Sequence, residues 1–492
     1  MSDIYITNSL SRKKEKFVPL SGERVKAHVG MYTCGPTVYD YAHIGNFRTY
    51  TASDILLRVL KYNGYEATFI MNVTDVGHLS GDNLGDADTG EDRLVKAAKK
   101  EGKTAWDIAK FYTNAFLGDF EKLNLVRPRL FAKATEHIQE QIDLVARLEE
   151  KSLTYKIKDG IYFDTKKFEE TSGKKYGELS NLDKIKEGAR VEANPEKRNP
   201  RDFALWKFSY EAGRSFDSAQ DDVSMKRHME WESPWGIGFP GWHIECSAMS
   251  MKYLGESFDI HAGGEDIRQT HHPNEIAQSE GATGKRFVKY WVHTTHLKVD
   301  GKRMGKSLGN AYTISDIEKK GFDPLALRYL YLTAHYRDTL NFTWDSLTAS
   351  QNALDKLREH VISLKGASNR ATLSLEKEKK VEDYSKRFLE SVNDDLNTPR
   401  ALAVLWEAVK SNVPSEDKYD LLMSFDEVLG LGLGQITNSK LQIPKEIENL
   451  ISKREEFRGK GDYESADKIR RDLEAKGFFV KDTDKGPRVV PK

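Results

Sequence analysis

The stretch that most restricts the fold begins at Val29. Val29 to Tyr32 reads as a short buried strand, Gly35-Pro36 as a turn, the following residues as a helix carrying Phe47, Tyr50, Ile55, Leu56 and Leu60, and Glu66 to Val73 as a second strand. Strand, glycine-containing loop, helix and strand in that order build a parallel α/β sheet, whose sites lie at the carboxyl ends of its strands. The pattern then breaks off. Residues 104–155 read as helical, and Tyr155 to Asp164 as a hairpin turning at Asp159-Gly160. It resumes at Phe258-Asp259-Ile260-His261 and Tyr290-Trp291-Val292-His293, so an insertion is expected to split the sheet domain.

Beyond Asn310 the chain turns helical, with a thick apolar segment at Leu325, Leu327, Tyr329, Leu330 and Leu332. Gly366 to Lys380 reads as a polar spacer and Ala212 to Arg227 as an exposed loop. Near the end, Ile447, Leu450, Ile451 and Phe457 mark one amphipathic helix, Gly459-Lys460-Gly461-Asp462 a turn, and Tyr463, Ala466, Ile469 and Leu473 a second, antiparallel helix. The expected architecture is a Rossmann-like parallel-sheet α/β domain in two halves, 1–125 and 231–318, around an insertion at 126–230. An all-α region follows, with a bundle at 319–435 and a helical end at 436–492.

The 492 residues, 38% hydrophobic and 31% charged, suffice for several cores. No apolar run follows Arg12 to Lys16, and none reaches the length of a membrane helix, so neither a secretory signal nor a membrane partner is expected. With 76 basic and 76 acidic residues, nothing global announces a nucleic acid, and any RNA contact must be local. Lys96-Ala97-Ala98-Lys99-Lys100, the stretch from Lys184 to Arg201 and the last helices are candidates, although each also reads as a solvated face. Two cysteines exclude a disulfide framework and suit a reducing, cytoplasmic setting.

Both cysteines sit in dense motifs. Cys34 opens Cys34-Gly35-Pro36-Thr37-Val38-Tyr39-Asp40-Tyr41-Ala42-His43-Ile44-Gly45-Asn46, Cys246 closes Gly241-Trp242-His243-Ile244-Glu245-Cys246, and His271-His272-Pro273-Asn274-Glu275 follows. Two thiolates, an imidazole and a carboxylate make a zinc set, whereas free cysteines are more often small buried hydrophobes. Spacing favours the metal: on a helix, His271 and Glu275 stand at i and i+4 on one face. The loop His43-Ile44-Gly45-Asn46 precedes a helix and suits nucleotide phosphates, and Lys302-Arg303-Met304-Gly305-Lys306-Ser307-Leu308-Gly309-Asn310 sets cations among glycines. Alone, either loop also reads as an ordinary turn.

Together these motifs resemble the class I aminoacyl-tRNA synthetases, with their His-Ile-Gly-His and Lys-Met-Ser-Lys-Ser signatures. More specifically, the chain resembles the cysteinyl-tRNA synthetases over nearly its whole length, through the Cys34 and Cys246 motifs, Asn72-Val73-Thr74-Asp75 and Phe258-Asp259-Ile260-His261. The resemblance implies zinc, one ion per chain, on Cys34, Cys246, His271 and Glu275, where the substrate thiolate adds a soft ligand that serine and alanine lack. It implies an amino-acid pocket at Gly35, Thr74 and Trp242. It also implies ATP, with Mg²⁺, held by His43, Gly45, Asn46, Gly263, Gly264, Asp266, Lys302, Arg303, Met304, Lys306 and Ser307, among which His43, Asn46 and Lys306 stabilise phosphate charge.

The implied partners are ATP, L-cysteine and tRNA(Cys), bound by a monomer whose residues 126–230 are a connective insertion and 436–492 an anticodon-binding end. Trp406, Phe478 and Arg488 are possible RNA contacts, with core or tail roles as the alternative. Three departures stand out: Asn46 replaces the second histidine, Gly305 replaces the middle serine, and Ile267-Arg268-Gln269-Thr270 is more polar than the family's segment. They keep open a weakened RNA-binding paralogue. A relative that ligates cysteine to a small amine is the other alternative, against which the long helical end speaks.

Overall fold

The computed structural model describes residues 3–22, 27–77, 79, 92–180, 194–209, 227–305, 308–364, 373–435, 445–476, 478–483 and 486–491. Five parallel strands form the central sheet in the order Val288–Thr294, Phe258–Gly264, His28–Thr33, Glu66–Val73 and Leu130–Lys133. Successive side chains point to opposite faces, each covered: Phe69 and Met71 enter one apolar cluster, Ile70 between them another. The chain moves outward from His28–Thr33 and, after the insertion, returns beside it to move outward the other way. An open α/β sheet binds its ligands at such a reversal.

Leu130–Lys133 carries the sheet past residue 125, where the sequence reading ends the first half. The span read as helical comprises Ala105–Lys122, this strand and Ile138–Glu150. Four residues are too few to show an alternation against flanking helical periodicity. The insertion builds its own antiparallel sheet from Thr154–Ile157, Gly160–Phe163 and Phe203–Phe208, with a fourth strand, Gly238–Pro240, past the expected end at residue 230. Its hairpin turns one residue earlier than expected, at Lys158-Asp159. Of the polar stretch read as an exposed loop, 212–226 lies outside the described residues. Arg227 is not exposed: its guanidinium lies 3.5 Å from the Phe239 ring centroid and pairs with Asp92.

Pro324–Leu332, Trp344–Leu364, Leu375–Asn393, Thr398–Lys410 and Ser415–Leu429 form the helical region. Leu375 to Lys380, read as spacer, is instead the opening of a helix. Ser374 accepts a hydrogen bond from the Lys377 N–H, and Glu376 and Glu378 stand in the first turn, where the helix dipole favours them. One apolar cluster runs from Ile44, Phe47 and Leu56 through Leu327 to Leu405, Phe425 and Leu429, joining bundle to sheet. Fully buried Arg328 crosses this junction, donating to the Leu429 carbonyl at 2.7 Å, the Leu123 carbonyl at 3.1 Å and Asp54 at 2.6 Å.

The end of the chain has a separate small core of Ile447, Ile469, Leu473 and Val480. The two expected helices, Lys445–Gly459 and Tyr463–Ala475, are followed by an antiparallel hairpin, Phe478–Thr483 with Gly486–Pro491, which the helical reading omits. At the other end, the hairpin Tyr5–Asn8 and Lys13–Lys16 docks on the sheet edge through Ser9 N–H to the Trp291 carbonyl at 2.8 Å. Among the described residues no helix is long and apolar enough to cross a membrane.

Candidate active site

A cleft of about 480 Å³ opens at the reversal of the sheet, where Cys34 leaves one strand and Gly264 ends its neighbour. Its lining includes Cys34, Gly35, Asn46, Thr74, Trp242, Cys246, Gly264, Asp266 and His271. Three elements deliver the candidate metal donors. Cys34 follows His28–Thr33, Cys246 lies one turn into the helix Trp242–Leu254, and His271 and Glu275 share the first turn and a half of His271–Thr283. The insertion matters here, because its last strand, Gly238–Pro240, runs directly into the Cys246 helix.

The donor atoms of these four residues all lie within 4.8 Å of one another. Cys34 Sγ and Cys246 Sγ are 3.8 Å apart, His271 Nε2 is 3.4 Å from Cys246 Sγ and 3.1 Å from Glu275 Oε1, and Cys34 Sγ is 3.9 Å from Glu275 Oε1. A tetrahedral zinc with Zn–S of about 2.3 Å and Zn–N of about 2.0 Å sets sulfurs about 3.8 Å apart and sulfur and nitrogen about 3.5 Å apart. The donor set fits that ion. Cys34, His261, His272 and Glu275 form an overlapping group of similar compactness. Cys34, Cys246 and His271 of the first group line the cleft, against Cys34 alone of the second, so the first group is the one better placed to meet a ligand there.

Further histidines, not singled out from sequence, orient the donors. His243 Nδ1 meets His271 Nδ1 at 2.9 Å, and His261 Nε2 donates to Glu275 Oε2 at 2.9 Å. His272 is linked through His293 to Ser9 at 2.7 and 2.8 Å. The signal was there: these histidines stand on the strands and helices that carry the motifs, at positions otherwise given to core residues. Burial pushes the Glu275 carboxyl up, but His261 and His271 outweigh it and hold it at about 2. Burial pulls His271 down, but Glu275 and Cys246 outweigh it and hold it at about 10. Burial and Cys246 push the Cys34 thiol up, whereas the hydrogen bond from Cys34 and the nearby His271 draw Cys246 down against burial. Burial, with His261 and His293, drives His272 well below the usual imidazole range.

The three residues expected in the amino-acid pocket converge beside this group. Gly35 N–H donates to Asn72 Oδ1 at 2.7 Å, and a Cβ on Gly35 would overlap the Asn72 carbonyl oxygen, so a side chain is excluded there. Thr74 Oγ1 donates to Glu245 Oε2 at 2.9 Å, and burial raises the Glu245 carboxyl well above its usual range. Trp242 stacks on His271 with centroids 4.2 Å apart. Asn72, Thr37, Thr49 and Tyr50 also line the cleft, a role that sequence reading did not give them.

At the nucleotide end, His43 caps the helix Ile44–Tyr62. Its Nδ1 accepts the Asn46 N–H at 3.2 Å, and Asn46 Oδ1 accepts the His43 N–H at 3.0 Å. In the neutral ring this leaves the proton on Nε2. Asn46 thus spends its oxygen on the cap, and what it can offer a phosphate is its amide NH₂. A Cβ on Gly45 would come 3.1 Å from His43 and 3.4 Å from Met304 Sδ, which brings the second loop against the first. Lys302 and Arg303 pair as a short strand with Leu297–Val299, exposed and outside the cleft lining. Gly305 N–H donates to Asn310 Oδ1 at 2.9 Å. Lys306 and Ser307 lie outside the described residues. Gly264 and Asp266 line the cleft, while a Cβ on Gly263 would face Ile267 and His272. Of the suggested RNA contacts, Trp406 is half-buried and donates to the Tyr329 hydroxyl at 2.8 Å, a packing role. The side chains of Phe478 and Arg488 fall outside the description.

Residues 21–352 match the family described as tRNA synthetases class I (C) catalytic domain. Residues 387–412 match the DALR domain, and 442–489 the Cysteinyl-tRNA ligase anticodon binding domain. The chain belongs to the cysteinyl-tRNA synthetase family. Cysteine–tRNA ligase 1 of Burkholderia lata is 45% identical over 482 residues, 97% of this chain and 95% of that protein. The cysteine–tRNA ligases of Treponema denticola and Thermus thermophilus are 41% and 39% identical, covering 96% and 99% of this chain and 97% and 98% of theirs. A Mycobacterium tuberculosis methionyl-tRNA synthetase in complex with methionyl-adenylate shares the fold, with a TM-score of 0.54 at 15% identity over 83% of this chain and 91% of that one. Membership in this family of class I synthetases accounts for the split parallel sheet and the helical region behind it.

Proposed function

We propose that the chain is a cysteine–tRNA ligase acting as a monomer in the cytoplasm on ATP, with Mg²⁺, L-cysteine and tRNA(Cys). A cysteine carboxylate oxygen attacks the α-phosphorus of ATP, the α–β bridging bond breaks, and pyrophosphate leaves. A terminal ribose hydroxyl of the tRNA then attacks the acyl carbonyl, and AMP departs. Cys34, Cys246, His271 and Glu275 would hold zinc, which when bound supplies a soft Lewis acid able to take a thiol as thiolate. Thr74, Trp242 and the backbone at Gly35 bound the pocket around the substrate. Serine and alanine leave the strong contact unmade, and a missing strong contact discriminates far better than a missing methylene. His43, the Asn46 amide and Lys306 stabilise phosphate charge, by position and electrostatics more than by proton transfer.

The observation that carries this reading is the donor geometry at the floor of the cleft, two free thiols 3.8 Å apart beside an imidazole and a carboxylate. Unbonded thiols at that distance suit a reducing compartment. The match of residues 442–489 to an anticodon binding domain favours a tRNA acceptor over a small amine. Cysteine-dependent ATP–pyrophosphate exchange, charging of unfractionated tRNA and elemental analysis test it together. The expected result is exchange, charging and about one zinc per chain. Exchange without charging would overturn the tRNA ligase reading, and activity indifferent to strong chelators in zinc-free protein would overturn the metal.

A further inference from the structure

One feature beside the His43 loop belongs neither to the donors nor to the residues expected on the nucleotide. Tyr41, two residues before His43, is 42% exposed, and Phe111, on the helix Ala105–Lys122, is 45% exposed. The two rings meet edge to face with centroids 6.1 Å apart, and Tyr112 packs against both, 5.0 Å from Tyr41 and 5.1 Å from Phe111. Tyr112 is the anchor, buried in the apolar cluster on that side of the sheet; Tyr41 and Phe111 are in no such cluster. Contiguous apolar surface left open to water is a common mark of a recognition site.

The surroundings say what they recognise. Lys103 Nζ lies 5.0 Å from the Phe111 ring centroid while pairing with Glu101 at 2.9 Å, and Tyr112 donates to the other oxygen of Glu101 at 2.8 Å. Lys99 and Lys100, in the last turn of the neighbouring helix Arg93–Glu101, are exposed, as is Lys110. Half-exposed rings beside several cations are the kind of platform that single-stranded RNA uses, bases on the rings and phosphates near the charges. The place fits as well, since Thr37 and Asn46 on either side of Tyr41 in sequence line the cleft. ATP and cysteine bind inside the cleft and need no rim, whereas a tRNA must bring an unpaired 3′ end across it.

We propose that Tyr41 and Phe111, with Lys103, form a stacking platform for an unpaired base of the tRNA 3′ end as the terminal ribose enters the cleft. The proposal rests on the ligase reading above. It is tested on the full chain with Phe111→Ala, Tyr41→Ala and Phe111→Tyr, measuring affinity for a tRNA(Cys) transcript and for the same transcript without its unpaired 3′ nucleotides. Loss of one stack should weaken binding of the intact transcript about tenfold in either alanine variant. The truncated transcript should bind wild type and variants alike, Phe111→Tyr should behave as wild type, and cysteine-dependent exchange should not change. Unchanged affinity for the intact transcript, or equal losses for both transcripts, would overturn the platform. So would a change in sedimentation of the variants, which would make the rings a face for a second copy of the chain. A wild-type chain that exchanges but charges no tRNA would instead overturn the ligase reading itself.

Discussion

The two ends of the cleft are built differently. At the donor end Cys246, His271 and Glu275 are buried and Cys34 is half-buried, and the donors are held by partners from other elements: His271 by His243, Glu275 by His261, Cys34 by Cys246. At the nucleotide end the contacts are local and closer to water: a capping box within four residues, and a glycine loop closed by Asn310 on the Gly305 N–H. Selectivity requires a site that cannot adapt, so its geometry is set by the core. A leaving group whose charge grows during reaction requires cations that can close over it, which a loop provides.

The sharpest way to break this contrast is to ask the donor end for the wrong substrate. In ATP–pyrophosphate exchange, cysteine should be activated over serine by roughly 10⁴-fold or more, the scale set by an unmade strong contact. Comparable rates would place recognition elsewhere. Next comes the nucleotide end, where Lys306→Ala should slow adenylation by about 10²- to 10³-fold, as expected for loss of one charge-stabilising donor. Transfer from preformed adenylate should change little, because pyrophosphate has already left; single-turnover measurement of both steps checks this.

Cys246→Ser should lose the metal and also lower thermal stability, since ligands from three elements tie the fold together and metal affinity is folding energy. Elemental analysis with a melting curve reads both, and stability equal to wild type after metal loss would mean the buried core alone fixes the donors. A smaller effect is expected from Asn46→Ala, which removes half of the capping box and should cost about 1 kcal/mol of stability in denaturant titration, along with a slower first step. Smallest is Gly305→Ser. A hydroxyl restored to the second loop should speed adenylation by a few-fold at most, and a slower step would show that this loop works because of its glycine.

Much of the architecture was legible because it is written in short periods. The strands at Val29 to Tyr32 and Glu66 to Val73 announce themselves as apolar runs bounded by turns, and they stand as His28–Thr33 and Glu66–Val73. Leu130–Lys133 was hidden because four residues between two helices carry too little pattern, and Leu375 to Lys380 because a solvated helical face and a polar spacer share a composition. The terminal hairpin escaped because Lys481, Asp482, Pro487, Arg488 and Pro491 break the apolar pattern of its two strands. In the site, Cys34, Cys246, His271 and Glu275 could be picked out one by one from their motifs, and Asn46 marked as a departure.

By itself the sequence determined residue types and local geometry: a helix that sets His271 and Glu275 on one face, a capped helix behind His43, a loop rich in cations. Only the tertiary structure decided that thiols so distant in the chain meet at 3.8 Å, that one of two overlapping donor groups opens more fully onto the cleft, and that the Tyr41 and Phe111 rings meet. The physical reason is that spacing along a chain fixes neighbours within a turn or two, whereas contacts across a sheet depend on strand order. Here that order reverses between His28–Thr33 and Phe258–Gly264, and the insertion alone brings the Cys246 helix back to the reversal.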